Sequence, residues 1–290
     1  MADNTSIVHA ARSLPNPGAR RRSARVPPGA VGIATRTRTL LLNLLSLAIT
    51  LVVWELVSEH VASPYFPGPM AIVRAFVQLA LHGDILGNTL LQNIDASLMR
   101  LLVGFGLGTV LGVPLGLLMG LKKQWYASTR VVIEPFRFIP PIAWIPLAII
   151  FFTGMTRYAF LIFLGAFFPI FTATMVGVGR AETIHRKVLQ VYGASKFYIL
   201  LHAVVPSVLP DILAGMRVGL GTAWMTIVAA ELTGGSSLGL GRMMVNYSEI
   251  LRIPEVVVAM MLIGLLGFLF NEVILLAERR LFRWRWQVSL

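Results

Sequence analysis

Cysteine is missing from all 290 positions. Its absence removes disulfide frameworks, thiolate metal sites and thiol nucleophiles from consideration. Charge is also scarce: Asp, Glu, Lys and Arg together make up 13% of the chain, against about 25% in an ordinary soluble domain. The sequence contains no G-x-x-x-x-G-K-[ST], so any nucleotide hydrolysis served by this chain belongs to another polypeptide. The histidines at 9, 60, 82, 185 and 202 show no metal-ligand spacing. No nucleophile–base constellation stands out either. We therefore expect no metal, no cofactor and no catalytic activity.

What the chain has is apolar length: 56% of residues are hydrophobic. The runs 101–121 and 158–178 carry no charge, and 40–57 carries only Glu55. A hydrocarbon core of about 30 Å takes roughly 20 apolar residues of helix, and a helix satisfies its own backbone groups in lipid. The expected fold is an all-α, polytopic transmembrane bundle of six spans at 39–58, 95–120, 131–152, 158–178, 211–231 and 256–277. The third is interrupted by Pro135, Pro140, Pro141 and Pro146 and reads as kinked. Short amphipathic helices are expected at 67–84, after the Pro67-Gly68-Pro69 turn, and at 239–252.

The net charge of +12 could suggest nucleic acid, but its distribution reads as membrane orientation. With the N-terminus inside, the basic tail, the 121–130 and 179–210 loops and the C-terminus hold eighteen Lys and Arg, against four on the other side. That asymmetry places both termini in the cytoplasm and leaves membrane lipid, not nucleic acid, as the surrounding partner. Residues 1–38, with seven Arg among Pro and Ser, are expected to be a disordered tail, retained because no A-x-A site follows the first apolar run.

Gly104, Gly108, Gly112, Gly116 and Gly120 repeat at i+4. They cut a shallow groove where another backbone can approach closely, within the chain or between two copies. The 179–210 connection is too long for a simple loop. It is helical in pattern, with one break at Gly193-Ala194-Ser195, and reads either as a lip sealing the bundle or as a helix–turn–helix presented to a soluble partner. Among charges within spans, Arg137 follows Glu134 by three residues, giving an ion pair near the cytoplasmic interface or positive potential for an anion leaving the path. Arg217 follows Asp211 by six residues and is similarly open. Glu231 ends span five, and Asn271 and Glu272 suggest interhelical contacts. Pro140, Pro141, Trp144 and Trp224 join Arg137 and Glu231 as candidate pathway residues.

The 179–210 segment resembles the cytoplasmic loop of binding-protein-dependent ABC importer permeases, whose pattern is Glu-Ala-Ala, three residues, Gly, nine residues, Ile-x-Leu-Pro. Gly193 matches the Gly and Pro206 the Pro; Val205 stands for the Leu, Ala203 for the Ile and Val188-Leu189 for the two alanines. Lys187 stands where the pattern has Glu, a reversal of charge. The resemblance runs over about 60–285, through 100–120, 136–152 and 215–232, and is greatest to the nitrate, sulfonate, taurine and bicarbonate group. It implies a permease core at 89–278, preceded by a first span and external helix at 39–88 and followed by a cytoplasmic tail at 279–290. It implies a bacterial inner-membrane importer of a small oxyanion or organosulfonate. Two ATP-binding subunits would dock at the turn formed by Lys187, Val188, Leu189, Gly193, Ala194 and Ser195. A second permease copy, most simply as a homodimer, and an extracytoplasmic substrate-binding protein complete the implied set. The alternatives are a stand-alone secondary transporter or channel, which predicts inverted repeats and acidic relays, and a membrane-embedded enzyme.

Overall fold

The computed structural model describes residues 33–180, 183–233 and 235–281. Residues 1–32 of the expected tail at 1–38, and most of that at 279–290, lie outside them; residues 33–38 are already the start of a helix. The chain divides into two units, 1–54 and 55–290, with α1 (Ile33–Val61) running from the first into the second.

Within the second unit, α2 (Pro69–His82) starts with Pro at N1, where a missing N–H costs nothing. The Glu55 carboxylate accepts the Met70 N–H at 3.0 Å, satisfying one orphan donor of the first turn. Gly68 leaves room for this carboxylate, since a Cβ there would lie 2.7 Å from Glu55 Oε2 and push it aside. The long α3 (Leu90–Leu121) opens with a capping box between Thr89 and Gln92. α4 (Lys123–Phe138) follows, then a 3-10 turn at Pro141–Trp144 and α5 (Ile145–Phe151).

The expected third span is thus broken: its two halves meet at 88°. Ile139 and Pro140 both precede a proline and both are extended, with ψ of 116° and 136°. The ring of the following proline disfavours helical geometry at such positions. Among the described residues five continuous helices are long and apolar enough to cross a membrane, or six counting this broken pair, and the fold is an all-α polytopic bundle.

α6 (Gly154–Arg180) lies along α3, and α9 (Val205–Leu232) lies along α6. The glycine row explains the first contact. A Cβ at Gly104 would meet Ile162 at 2.4 Å, at Gly108 Ala166 at 2.7 Å, and at Gly116 the Phe171 carbonyl at 2.7 Å. Gly112 faces Ile170 and Gly120 faces Val178. The groove is therefore filled by this chain's own α6. The same close approach recurs between α6 and α9, where Gly165 faces Ala223 and Gly219 faces the Ala166 carbonyl.

Between α6 and α9 come α7 (Thr183–Val191), α8 (Lys196–Ile199) and a π-helical turn at Leu200–Val204. One apolar helical run extends from Lys196 to Leu232, so 196–210 belongs to the span and not to a separate loop. Pro206 falls just after the π-helical turn, where the regular i→i−4 ladder is already interrupted. α10 (Leu240–Glu249) and α11 (Ile253–Leu281) close the unit, with α11 against α2, α9 and α10.

Candidate functional site

Three places gather the polar chemistry of this apolar chain. The first is the turn after α7. Gly193 has φ +76°, and its N–H bonds to the Gln190 carbonyl at 3.0 Å while the Ala194 N–H bonds to the Leu189 carbonyl at 3.0 Å. These are the two bonds of a Schellman C-cap, which needs a left-handed residue at Gly193. Nothing lies within 4 Å of a Cβ built there, so backbone geometry, not crowding, selects glycine. The Ser195 hydroxyl then caps α8 by accepting the Tyr198 N–H at 3.2 Å. Leu189 and Ala194 pack against a cluster of Val178, Ile199, Val204 and Val208, which holds the turn to the bundle. On the outside, Val191 is 85% exposed, Tyr192 84% and Phe197 69%. Val188 is partly and Lys187 largely exposed beside them.

The second place is a cavity of about 460 Å³ walled by Arg137 from α4, Leu164, Phe168 and Thr172 from α6, and Val218 and Thr222 from α9. Arg137 pairs with Glu134 at 3.2 Å, but it stands abreast of the middle of α6 and α9, not beside their ends. The chain turns by 88° just after it, between α4 and the following helical segment. Pro141 also lines this cavity. Trp144 is stacked on Phe136 with ring centroids 5.8 Å apart. Trp224 is buried, donates to the Ile263 carbonyl at 3.1 Å, and lines a smaller space with Asn271.

The third place is a buried network near the start of α3. Glu231 is 1% exposed and pairs with Arg100 at 2.6 Å. Its carboxylate also accepts from the Ser97 hydroxyl at 2.8 Å and the Gly241 N–H at 2.9 Å. Arg100 donates further to the Leu238 carbonyl and the Ser236 hydroxyl, and its guanidinium lies over the Tyr158 ring. Asn93 accepts the Gly239 N–H and donates to Asp84. Glu231 is thus a structural anchor for the 235–241 segment and lines none of the cavities described here.

One ion pair is reassigned. Arg217 does not pair with Asp211: six helical residues correspond to about 600°, which puts the two side chains 120° apart around α9. Arg217 pairs with Glu278 of α11, while Asp211 meets Arg180 at 3.5 Å. Asn271 of α11 lies beside Arg217 and Trp224 of α9. Sequence reasoning missed Asp84, Asn93 and Ser97, although Asn93, Ser97 and Arg100 fall at i, i+4 and i+7, one polar stripe continuous with the glycine row. Among the described residues no group of His, Asp and Glu could hold a metal.

Comparison with known proteins gives the context for this geometry. Residues 112–286 match the family of binding-protein-dependent transport system inner membrane components. A putative ABC transporter permease of Methanocaldococcus jannaschii is 34% identical, covering 88% of this chain and 96% of its own. The taurine transport system permease of Escherichia coli (strain K12) is 32% identical over 87% of this chain and 93% of its own. The nitrate import permease of Synechocystis is 32% identical over 80% and 86%. Among solved structures, the inward-facing MetNI methionine ABC transporter superposes with a TM-score of 0.53 at 20% identity, covering 64% of this chain and 94% of that one, which speaks for the fold alone. On that match and those relatives, this chain belongs to the binding-protein-dependent ABC importer permeases, multi-pass membrane subunits that serve transport and are not enzymes.

Proposed function

We propose that the chain forms half of the path for a small oxyanion or organosulfonate, and that the turn at Gly193 docks in a separate ATP-binding subunit. The observation that carries this reading is the turn itself. A glycine-dependent cap, anchored on its inner side by Leu189 and Ala194, leaves Val191, Tyr192 and Phe197 exposed on its outer side. Apolar side chains held out on a rigid tip have the character of an interface anchor. Because α8 leads through the π-helical turn directly into α9, a push on the tip is passed to a helix that walls the Arg137 cavity. ATP-driven closure of two docked subunits would rock the bundle between two packings.

The rest of the assembly follows the same reading. Both termini and the Gly193 turn face the cytoplasm, as the Lys and Arg asymmetry supports. The permease core runs from 89 to 278, after a first span and external helix at 39–88. Two copies pair as a homodimer, with a substrate-binding protein delivering to the opposite face. The oxyanion or sulfonate class is supported by the taurine and nitrate relatives and by a cation, Arg137, on the cavity wall. The test is affinity purification of the tagged chain from its own membranes, joined to uptake of labelled nitrate, taurine, alkanesulfonates and bicarbonate. The expected result is a copurifying ATPase and ATP-dependent uptake of one of these anions. Uptake that persists without any ATPase would overturn the reading.

A further inference from the structure

The Gly193 tip is apolar at its end and positive at its flanks. Between 183 and 210 the sequence holds Arg186, Lys187 and Lys196 but no Asp or Glu. Lys187 and Val191, four residues apart on α7, share one face. Leu189, two residues from Lys187, is turned about 200° away from it and packs against the inner cluster. Lys187 therefore points outward with Val191. Across the turn, Lys196 opens α8 beside Phe197. Both lysines are exposed, and among the described residues neither has an ion-pair partner within the chain. The first carboxylate after the tip, Asp211, already lies beside Arg180 at 3.5 Å.

These cations are not needed to orient the chain. Without Arg186, Lys187 and Lys196, Lys and Arg would still stand at fifteen against four across the membrane. Their place around an apolar tip has a different consequence. Protein interfaces set apolar and aromatic anchors at the centre and polar groups at the rim. Complementary charge at that rim governs partner choice and association rate more than raw affinity. A Lys ammonium is strongly hydrated, which suits a carboxylate at a wet rim better than a dry pocket. A groove rimmed by Arg or Lys would instead meet like charge on both flanks of the turn. Lys187 also stands where the pattern of this loop has Glu, so a groove complementary to that acid would be repelled here.

We infer that the Gly193 tip selects its ATP-binding subunit by charge. It takes a subunit whose groove has an apolar floor for Val191, Tyr192 and Phe197 and carboxylates at the rim facing Lys187 and Lys196. This rests on the docking reading and deepens it, by naming the chemistry of the partner's surface and two residues of this chain that decide which partner fits.

The experiment titrates the copurified ATP-binding subunit onto the purified full chain in nanodiscs of zwitterionic phosphatidylcholine. Binding should weaken as salt rises, because the screening length falls from about 10 Å at 0.1 M to about 3 Å at 1 M. Lys187→Glu should weaken it by at least about tenfold, whereas Lys187→Arg should retain it. Lys196→Glu should act in the same direction, and the double variant should lose more. A water-soluble carbodiimide, which joins an amine to a carboxylate in contact with it, should link Lys187 or Lys196 to an Asp or Glu of the subunit. Reversing that carboxylate to Lys should restore binding to Lys187→Glu, a rescue that a folding defect would not permit. Unchanged binding by the Lys187→Glu/Lys196→Glu variant would overturn the inference. Salt sensitivity confined to nanodiscs of anionic lipid would overturn it too, since the lysines would then serve headgroups. In either case, loss of the subunit by Gly193→Asp would leave the docking reading standing, and retention would remove that reading itself.

Discussion

Glu231 illustrates how much one buried carboxylate organises. It holds Arg100, Ser97 and the start of α10 at once, and through Arg100 it fixes the 236–238 backbone. Removing one partner of such a pair leaves an uncompensated charge and costs about 3–5 kcal/mol. We predict that Glu231→Gln destabilises the detergent-solubilised chain by that order and lowers its thermal midpoint. The double variant Arg100→Met/Glu231→Leu should recover part of the loss. Recovery stays partial because Ser97 and the Gly241 N–H lose their acceptor as well. A midpoint unchanged in Glu231→Gln would contradict the anchoring role. The polar stripe Asn93, Ser97 and Arg100 is visible in the sequence, but its partner is 131 residues from Arg100, and no local period reveals such a pairing. The Arg217–Glu278 pair, 61 residues apart, hides for the same reason.

At the scale of helices, apolar length and turn residues read well. Runs of about twenty residues became helices, α2 began after its Pro-Gly-Pro turn, and the Gly193 break separates α7 from α8. Pro206 and Pro210 read as loop residues in the sequence, yet both lie within one helical run from Lys196 to Leu232, where a bundle packed around the helix accommodates them. The prolines of the third span signalled interruption, but no local pattern gives its 88° angle. The glycine row announced a close contact without naming the partner, and the structure supplies α6. A graded prediction follows. Gly116→Ala would put a Cβ 2.7 Å from a carbonyl oxygen, whereas Gly112→Ala meets its neighbours at 3.2–3.4 Å. Overpacking of this kind costs about 1–3 kcal/mol, so Gly116→Ala should lose more folded yield by size exclusion than Gly112→Ala. The reverse order would contradict the α3–α6 register.

For the whole molecule, orientation and pairing are the open quantities, and the lack of cysteine makes them accessible. Ser195→Cys and Ser237→Cys place single thiols at the Gly193 turn and beside the Glu231 anchor. Ser237 is exposed, whereas Ser236 is held by Arg100, which makes the former the safer probe. Impermeant maleimide on intact cells should label Ser237→Cys and spare Ser195→Cys; the opposite pattern would invert the topology. The mass of the transport-competent complex in detergent should correspond to two permease copies, and a single copy would remove the dimer.

The central claim is that the Gly193 turn transmits ATP-driven motion, and one substitution tests it most directly. Gly193→Asp adds a side chain and a charge to an exposed tip and strains the left-handed position by about 1–2 kcal/mol. With nothing within 4 Å of the new Cβ, the bundle itself should still fold and insert. The account predicts normal expression, loss of the copurifying ATPase and anion uptake near background. Parental uptake with the ATPase still bound would contradict it.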